Sequence, residues 1–146
     1  MRWIGLVVVL VALAGAGCQM MRGGATEFEV EAFQLDDAKV VDLEGASGGK
    51  AVLLTTANGE ATTALDLSPG TYELVVYGYA PSYDEDALYV MIGDYPEQRL
   101  VLSDIQKIAA TKPVTFKVEK AGPVKVRLAF GEENVQLDRI VVRPAK

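Results

Sequence analysis

Two acidic residues near the start of this sequence are spaced so that their carboxylates could act together. Glu29 and Glu31 are two residues apart in a segment that alternates like a β-strand, so both side chains are expected on one face. Burying two carboxylates without a partner is costly. The pattern therefore predicts either a solvated face or a positive group beside these two residues.

Other kinds of chemistry have few candidates. The chain contains no histidine, which removes the commonest general base and the commonest transition-metal ligand. Its one cysteine, Cys18, rules out an intrachain disulfide. Three consecutive acids, Asp84, Glu85 and Asp86, are the first place to look for a glycosidase pair, although such a run is more often a solvated loop. We predict that the protein is not an enzyme.

The N-terminus has the organisation of an export signal. A short basic start is followed by an apolar run at residues 4–14, by the small residues 15–17 and then by Cys18. This order resembles a bacterial lipoprotein signal, in which that cysteine is lipidated; the alternative is an ordinary secretory signal cut after Ala16. We expect a signal peptide at residues 1–17, a flexible tether at 18–26 and one folded domain at 27–146.

The rest of the chain is rich in strand signals and poor in helical ones. Segment 104–110 is predicted as one helical turn or a loop, and Asn58-Gly59 predicts a hairpin between its flanking strands. About nine or ten short strands indicate an all-β sandwich or barrel. The predicted strands are residues 28–32, 39–43, 51–57, 61–67, 71–80, 87–92, 99–102, 114–118, 124–130 and 135–142.

Several short motifs occur in an order that resembles carbohydrate-binding modules of families six and thirty-five. They are Glu29-Val30-Glu31, Ala46-Ser47-Gly48-Gly49-Lys50-Ala51-Val52, Pro69-Gly70-Thr71-Tyr72-Glu73-Leu74, Gly78-Tyr79-Ala80 and Leu137-Asp138-Arg139-Ile140. The resemblance spans residues 28–144. It implies a galactose-binding-like jelly roll, that is, a β-sandwich.

The same resemblance implies a structural calcium ion. Its ligands would be Glu29, Glu31 and Asp138, with a main-chain oxygen near Lys50. Oxygen-only ligation suits calcium. The alternative is three solvated acids at a strand edge, or a salt bridge to Lys50 or Arg139.

A sugar site in such modules needs an exposed aromatic ring, and residues 18–146 contain no tryptophan. The candidates are Tyr79 and Tyr83, with Asn134 just before the last strand. The alternative for Tyr79 is half-buried packing in its strand.

The predicted function is noncatalytic glycan binding by a calcium-stabilised module on an exported envelope lipoprotein, anchored in the membrane through Cys18. The alternative is an envelope structural or protein-interaction domain that lacks a sugar site, with a protein as its partner. The net charge of −6 and the absence of a visible basic cluster argue against nucleic acid as a partner.

Overall fold

The computed structural model describes residues 24–146, and these form a two-layered β-sandwich. The prediction of an all-β jelly-roll sandwich is confirmed. The strands are β1 (Thr26–Glu29), β2 (Gln34–Asp36), β3 (Ala38–Asp42), β4 (Lys50–Leu54), β5 (Glu60–Leu67), β6 (Gly70–Tyr79), β7 (Ala87–Ile92), β8 (Gln98–Val101), β9 (Ile108–Ala110), β10 (Val114–Val118), β11 (Gly122–Phe130) and β12 (Gln136–Pro144). Two short 3₁₀ turns interrupt them, Val30–Ala32 and Ser47–Gly49. The described residues thus hold twelve strands rather than nine or ten.

A seven-stranded sheet forms one layer, in the order β9-β6-β12-β4-β3. Strand β10 also pairs with β6, and β1 also pairs with β12. The second layer is a five-stranded sheet in the order β2-β5-β11-β7-β8. All recorded pairings are antiparallel.

Apolar residues alternate along the strands, and one set from each sheet faces the other layer. The pattern is clearest in β10, where Val114, Phe116 and Val118 are buried while the residues between them are exposed. Tyr72 stacks on Phe116 with ring centroids 5.7 Å apart, and its hydroxyl donates to the carbonyl of Ser68. The core that results positions the loops at both ends of the sandwich.

The prediction of a hairpin at Asn58-Gly59 is wrong. Strand β4, before this turn, lies in the seven-stranded sheet, and β5, after it, lies in the five-stranded sheet. A β-carbon at Gly59 would lie 2.7 Å from the carbonyl oxygen of Asp37, so the turn needs glycine for a close approach. The chain therefore crosses between layers here: β4 pairs with β3 and β12 in one sheet, and β5 pairs with β2 and β11 in the other.

Two other predictions need correction. Segment 104–110 contains a short strand, β9, rather than a helical turn, because Ile108–Ala110 extends the edge of β6. The strand predicted at residues 28–32 ends at Glu29 and is followed by the 3₁₀ turn Val30–Ala32. Glu29 and Glu31 therefore do not occupy alternate positions of one strand.

Candidate functional site

The two glutamates approach each other by a route that the sequence did not indicate. Glu29 is the last residue of β1, and Glu31 lies in the 3₁₀ turn that follows. A β-carbon at Gly48 would lie 3.8 Å from Glu31 Oε2 and 3.9 Å from Glu29 Oε1. Both carboxylates therefore border the Ser47–Gly49 turn, where Gly48 has a φ of 67° that favours glycine.

Asp138 stabilises the Ser47–Gly49 turn. It is completely buried at a register irregularity of β12, between Leu137 and Arg139. Its Oδ1 accepts the backbone N–H of Ser47 at 3.0 Å, and its Oδ2 accepts the guanidinium of Arg139. In this arrangement Asp138 holds the Ser47–Gly49 turn against β12.

The electrostatics of this cluster oppose negative charge. Burial raises the pKa of the Glu31 carboxyl, and the nearby charges of Glu29 and Asp138 raise it further, while the Lys50 ammonium lowers it. One oxygen of Glu31, Oε1, is buried without a hydrogen-bond partner. Burial is also the largest cause of the raised pKa of Asp138. A cation beside Glu31 and Asp138 would favour the ionised form of both carboxyls.

The donor chemistry of the cluster fits calcium, since it consists of carboxylates beside backbone carbonyls. The unpartnered Glu31 Oε1 fits as well. The arrangement fits less closely, because both oxygens of Asp138 already accept hydrogen bonds. Within residues 24–146, no group of three or more His, Cys, Asp or Glu side chains is arranged to hold a metal ion. Calcium binding stays a prediction.

Residues 45–50 also contain the patterns Gly-x-Ser-x-Gly and Ser-x-x-Lys, two motifs that accompany nucleophilic serines. Here the segment joins strands β3 and β4, not a strand and a helix. The amine of Lys50 is bound to Asp42. These contacts indicate that Ser47 is part of a structural turn rather than a nucleophile.

Tyr79 lies at the end of β6 and lines a depression of about 680 Å³ on the outer side of the seven-stranded sheet. Gln136 pairs with Tyr79 across the sheet, and the rest of the polar lining consists of Asp42, Glu44, Gln106 and Lys107. These five residues were not predicted, because all of them lie in loops or strands remote from Tyr79 in sequence. The depression combines an aromatic ring with amides that both donate and accept hydrogen bonds.

Tyr83 lines a different depression, of about 490 Å³, beside the edge strand β8. Its side chain is 69% exposed, and Arg99, Lys112 and the exposed Val101 lie around the same depression. Asp86 also lines it, but its carboxyl is buried, with a pKa raised by burial and by Glu132. The expectation that residues 84–86 form a solvated run is wrong for Asp86.

Asn134 lines a third depression, of about 360 Å³, together with Lys39 and Thr55. Its side-chain amide donates to Glu85 Oε2 at 2.7 Å, which ties the loop before β12 to the loop that carries Tyr83. The structure therefore distributes Tyr79, Tyr83 and Asn134 over three separate depressions.

The position before Tyr79 is closed to any side chain. A β-carbon at Gly78 would lie 2.5 Å from the carbonyl oxygen of Gln136. No side chain fits at this position, because β6 and β12 approach closely at the register irregularity.

Cys18 and the predicted signal and tether up to residue 23 lie outside the described residues. In the described part of the chain, no helix is long and apolar enough to span a membrane.

No protein-family model matches the sequence, and neither does any curated protein. Solved structures do match its fold. A family 35 carbohydrate-binding module from Clostridium thermocellum has a TM-score of 0.68 at 13% identity, and the match covers 83% of this chain and 98% of that one. The corresponding values for a family 35 module from Paenibacillus barcinonensis are 0.66 and 19%, with coverages of 82% and 99%.

The fold is that of a family 35 carbohydrate-binding module.

An exo-β-1,3-galactanase from Phanerochaete chrysosporium is similar over one part of its length, with a TM-score of 0.69 at 21% identity. That match covers 81% of this chain but only 29% of the enzyme, so this chain spans less than a third of its length. The family 35 modules, in contrast, are matched over almost their whole length. The likeness to the enzyme is therefore a likeness to a segment of module size.

Proposed function

We propose that this protein is a noncatalytic carbohydrate-binding module whose glycan lies over Tyr79. The observation that carries the proposal is the depression at the end of β6, where Tyr79 is flanked by Gln106, Gln136 and Lys107. A sugar ring places its C–H face on an aromatic side chain and its hydroxyls on amides and charged groups. Hydroxyl contacts alone yield little net free energy in water, so the aromatic ring supplies most of the affinity.

The test compares how much Tyr79 and Tyr83, which line different depressions, each contribute to glycan binding. A glycan array, followed by titration calorimetry with the best ligand, measures binding by the wild type, Tyr79→Ala and Tyr83→Ala. Loss of an aromatic anchor of about 2 kcal/mol weakens binding roughly thirty-fold. We expect that loss for Tyr79→Ala and a small change for Tyr83→Ala. The opposite ranking would move the site to the depression beside β8.

A second function has an observation of its own. Tyr83 and Val101, both exposed, lie around one depression at the edge strand β8, whose outer side pairs with no strand of residues 24–146. Apolar side chains beside an open strand edge are typical of protein-interaction surfaces. An array without any bound glycan, in buffer that contains calcium, would favour this alternative of an envelope protein-interaction domain.

We further propose that calcium binds at Glu29 and Glu31, with backbone oxygens of the Ser47–Lys50 segment. The support is the convergence of the two carboxylates at Gly48 and the unpartnered Oε1 of Glu31. Asp138 either joins the ion or continues to hold the Ser47–Gly49 turn. Such an ion stabilises the junction between β1 and β4.

In the cell, we propose that this module is exported and anchored through a lipid on Cys18. The support is the order of a basic start, an apolar run and small residues before the single cysteine. Anchoring would place the module at the bacterial cell envelope.

A further inference from the structure

The β8–β9 loop, at residues 102–107, supplies two of the polar side chains around Tyr79, Gln106 and Lys107. The loop leads into β9, whose first residue, Ile108, pairs with Tyr79 on one side of β6. Gln136 of β12 pairs with Tyr79 on the other side of that strand. The Tyr79 depression is therefore lined by two glutamines that come from elements on opposite sides of β6.

The backbone at Gln106 adopts a conformation that glutamine rarely takes. Its φ is 60°, in the left-handed region. Within residues 24–146, the other non-glycine residues with a positive φ are Asp37 and Asn134, and aspartate and asparagine are the types that best tolerate this region. Glutamine lacks that advantage, whereas glycine adopts such a φ without steric cost. A side chain is thus present at residue 106 in spite of the backbone conformation there.

Hydrogen bonds around the loop hold this conformation. The backbone N–H of Gln106 donates to the carbonyl of Ala80, the residue after β6, at 2.7 Å. Asp104 Oδ1 accepts the N–H of Ile105 at 2.8 Å, and Asp104 Oδ2 lies 3.0 Å from the ammonium of Lys107. The loop is therefore fixed against the end of β6 by its own contacts. An unfavourable backbone conformation that its surroundings enforce is typical of functional sites.

The side-chain amide of Gln106 is available to a ligand. It is exposed and has no hydrogen-bond partner within residues 24–146, and the amide of Gln136 has none there either. An amide offers both donors and an acceptor, and a sugar hydroxyl likewise donates and accepts. Two unpartnered amides beside Tyr79 therefore match neighbouring hydroxyls of one sugar ring.

The charges around the depression oppose an acidic ligand. Asp42 is bound to Lys50, and Lys107 is paired with Asp104. The remaining charge of the lining is that of Glu44, which is exposed and has no ion-pair partner in the described part of the chain. A sugar carboxylate in this depression would meet an uncompensated negative charge, while the ammonium of the lining is already paired.

We propose that Gln106 is the specificity-determining residue of the Tyr79 depression and that its amide selects an uncharged sugar over an acidic one. The fixed backbone directs the amide to the sugar ring that lies on Tyr79, at a loss of stability that glycine would avoid. This inference rests on the proposed glycan binding and adds to it the class of sugar and the residue that recognises it.

The first measurement separates stability from binding. Gln106→Gly relieves the backbone conformation and Gln106→Ala keeps it, while both changes remove the amide. In urea denaturation, we expect Gln106→Gly to be at least as stable as the wild type and more stable than Gln106→Ala. A glycine variant that is less stable than the alanine variant would overturn the argument from the backbone.

The second measurement is titration calorimetry with defined probes in buffer that contains calcium. The neutral probes are oligosaccharides of galactose, mannose, glucose and xylose, and the acidic probes are oligosaccharides of galacturonic and glucuronic acid. We expect the wild type to bind a neutral probe most tightly. Losing one direct hydrogen bond weakens binding about three- to tenfold, and we expect that loss for both Gln106→Ala and Gln106→Gly. Gln98→Ala removes an exposed glutamine of β8 outside the depression and should bind like the wild type.

Gln106→Lys distinguishes a direct contact from a structural role. A lysine at residue 106 adds a positive charge beside the sugar, so the affinity for acidic probes relative to neutral probes should rise several-fold at low salt. A purely structural role would weaken both classes of probe and leave their ratio unchanged.

Three results would contradict the inference. A wild type that binds an acidic probe most tightly would overturn the class of sugar. Binding that Tyr79→Ala abolishes but that neither Gln106→Ala nor Gln106→Lys alters would overturn the role of Gln106 alone and leave the proposed glycan binding in place. A folded wild type that binds none of the probes would overturn the glycan binding together with the inference.

Discussion

At the scale of single residues, Glu31 carries its charge in surroundings that oppose it. Its pKa is raised by burial and by the charges of Glu29 and Asp138. The folded protein therefore holds the Glu31 proton more tightly than the unfolded chain does. Above the raised pKa the ionised carboxylate destabilises the fold, and this penalty disappears as the pH falls through that pKa.

Replacing Glu31 by glutamine tests both the charge and the metal. In chelator, we expect Glu31→Gln to be more stable than the wild type at neutral pH. That difference should narrow as the pH falls towards the ordinary glutamate pKa of about 4.3, as measured by urea denaturation across a pH series. A difference that is constant with pH would contradict the electrostatic account.

Calcium should make the wild type more stable than Glu31→Gln. Binding to the folded state alone stabilises it by about 2.7 kcal/mol at one hundred times the dissociation constant, which raises the Tm of a domain of this size by roughly 8–16 °C. We expect that gain for the wild type and little for Glu31→Gln, with magnesium less effective than calcium. Identical melting curves of the wild type with chelator and with calcium would eliminate the site.

At the scale of the elements, one side chain bridges a discontinuity in the seven-stranded sheet. Strands β9 and β10 both pair with β6, and Thr111 lies between them. Its backbone N–H donates to the carbonyl of Val76 at 2.9 Å, and its hydroxyl accepts the N–H of Val76 at 3.1 Å. Thr111 thereby continues the hydrogen bonding of β6 where neither strand reaches it.

Thr111→Val should show how much this bridge contributes. Valine has nearly the same shape but leaves the buried N–H of Val76 without an acceptor, which costs about 1–3 kcal/mol. Thr111→Ser keeps the acceptor and serves as the matched control. Urea denaturation should place the serine variant near the wild type and the valine variant well below both. If the two variants are equally stable, the hydroxyl has no such role.

The strands themselves were largely predictable, because alternation of apolar and polar residues reports which side chains face the core. Residues 114–118 and 124–130 were predicted from this pattern and are strands β10 and β11. The prediction of a hairpin at Asn58-Gly59 was wrong. The turn signal is local, whereas β4 and β5 belong to different sheets, in which they pair with the sequence-distant strands β12 and β11 respectively.

At the scale of the whole molecule, the proposed anchor at Cys18 would determine where the module acts. We expect Cys18→Ser to move the protein out of the membrane fraction, because the serine hydroxyl cannot take the thioether-linked lipid. Cell fractionation followed by mass spectrometry of the N-terminal peptide makes the measurement. A serine variant that stays in the membrane, or an unmodified Cys18 in the wild type, would refute lipidation.

The three acids named for the metal site lie near one another. Glu29 and Asp138 both raise the pKa of Glu31, and Glu29 raises the pKa of Asp138. The geometry that unites them was not predictable, because the 3₁₀ turn after β1 and the Ser47–Gly49 turn are held by contacts remote in sequence. The hydrogen bond from Ser47 to Asp138 spans 91 positions.

The sequence by itself determined the all-β character of the domain and which apolar residues of its strands face the core. These properties are local, because alternation and turn residues are each readable within a few positions. Only the tertiary structure decided which strands pair, and that Tyr79, Tyr83 and Asn134 line three separate depressions. The physical reason is that the strands of a sandwich pair with partners far away in the chain, so the loops that meet at either end are selected by sheet order rather than by sequence proximity.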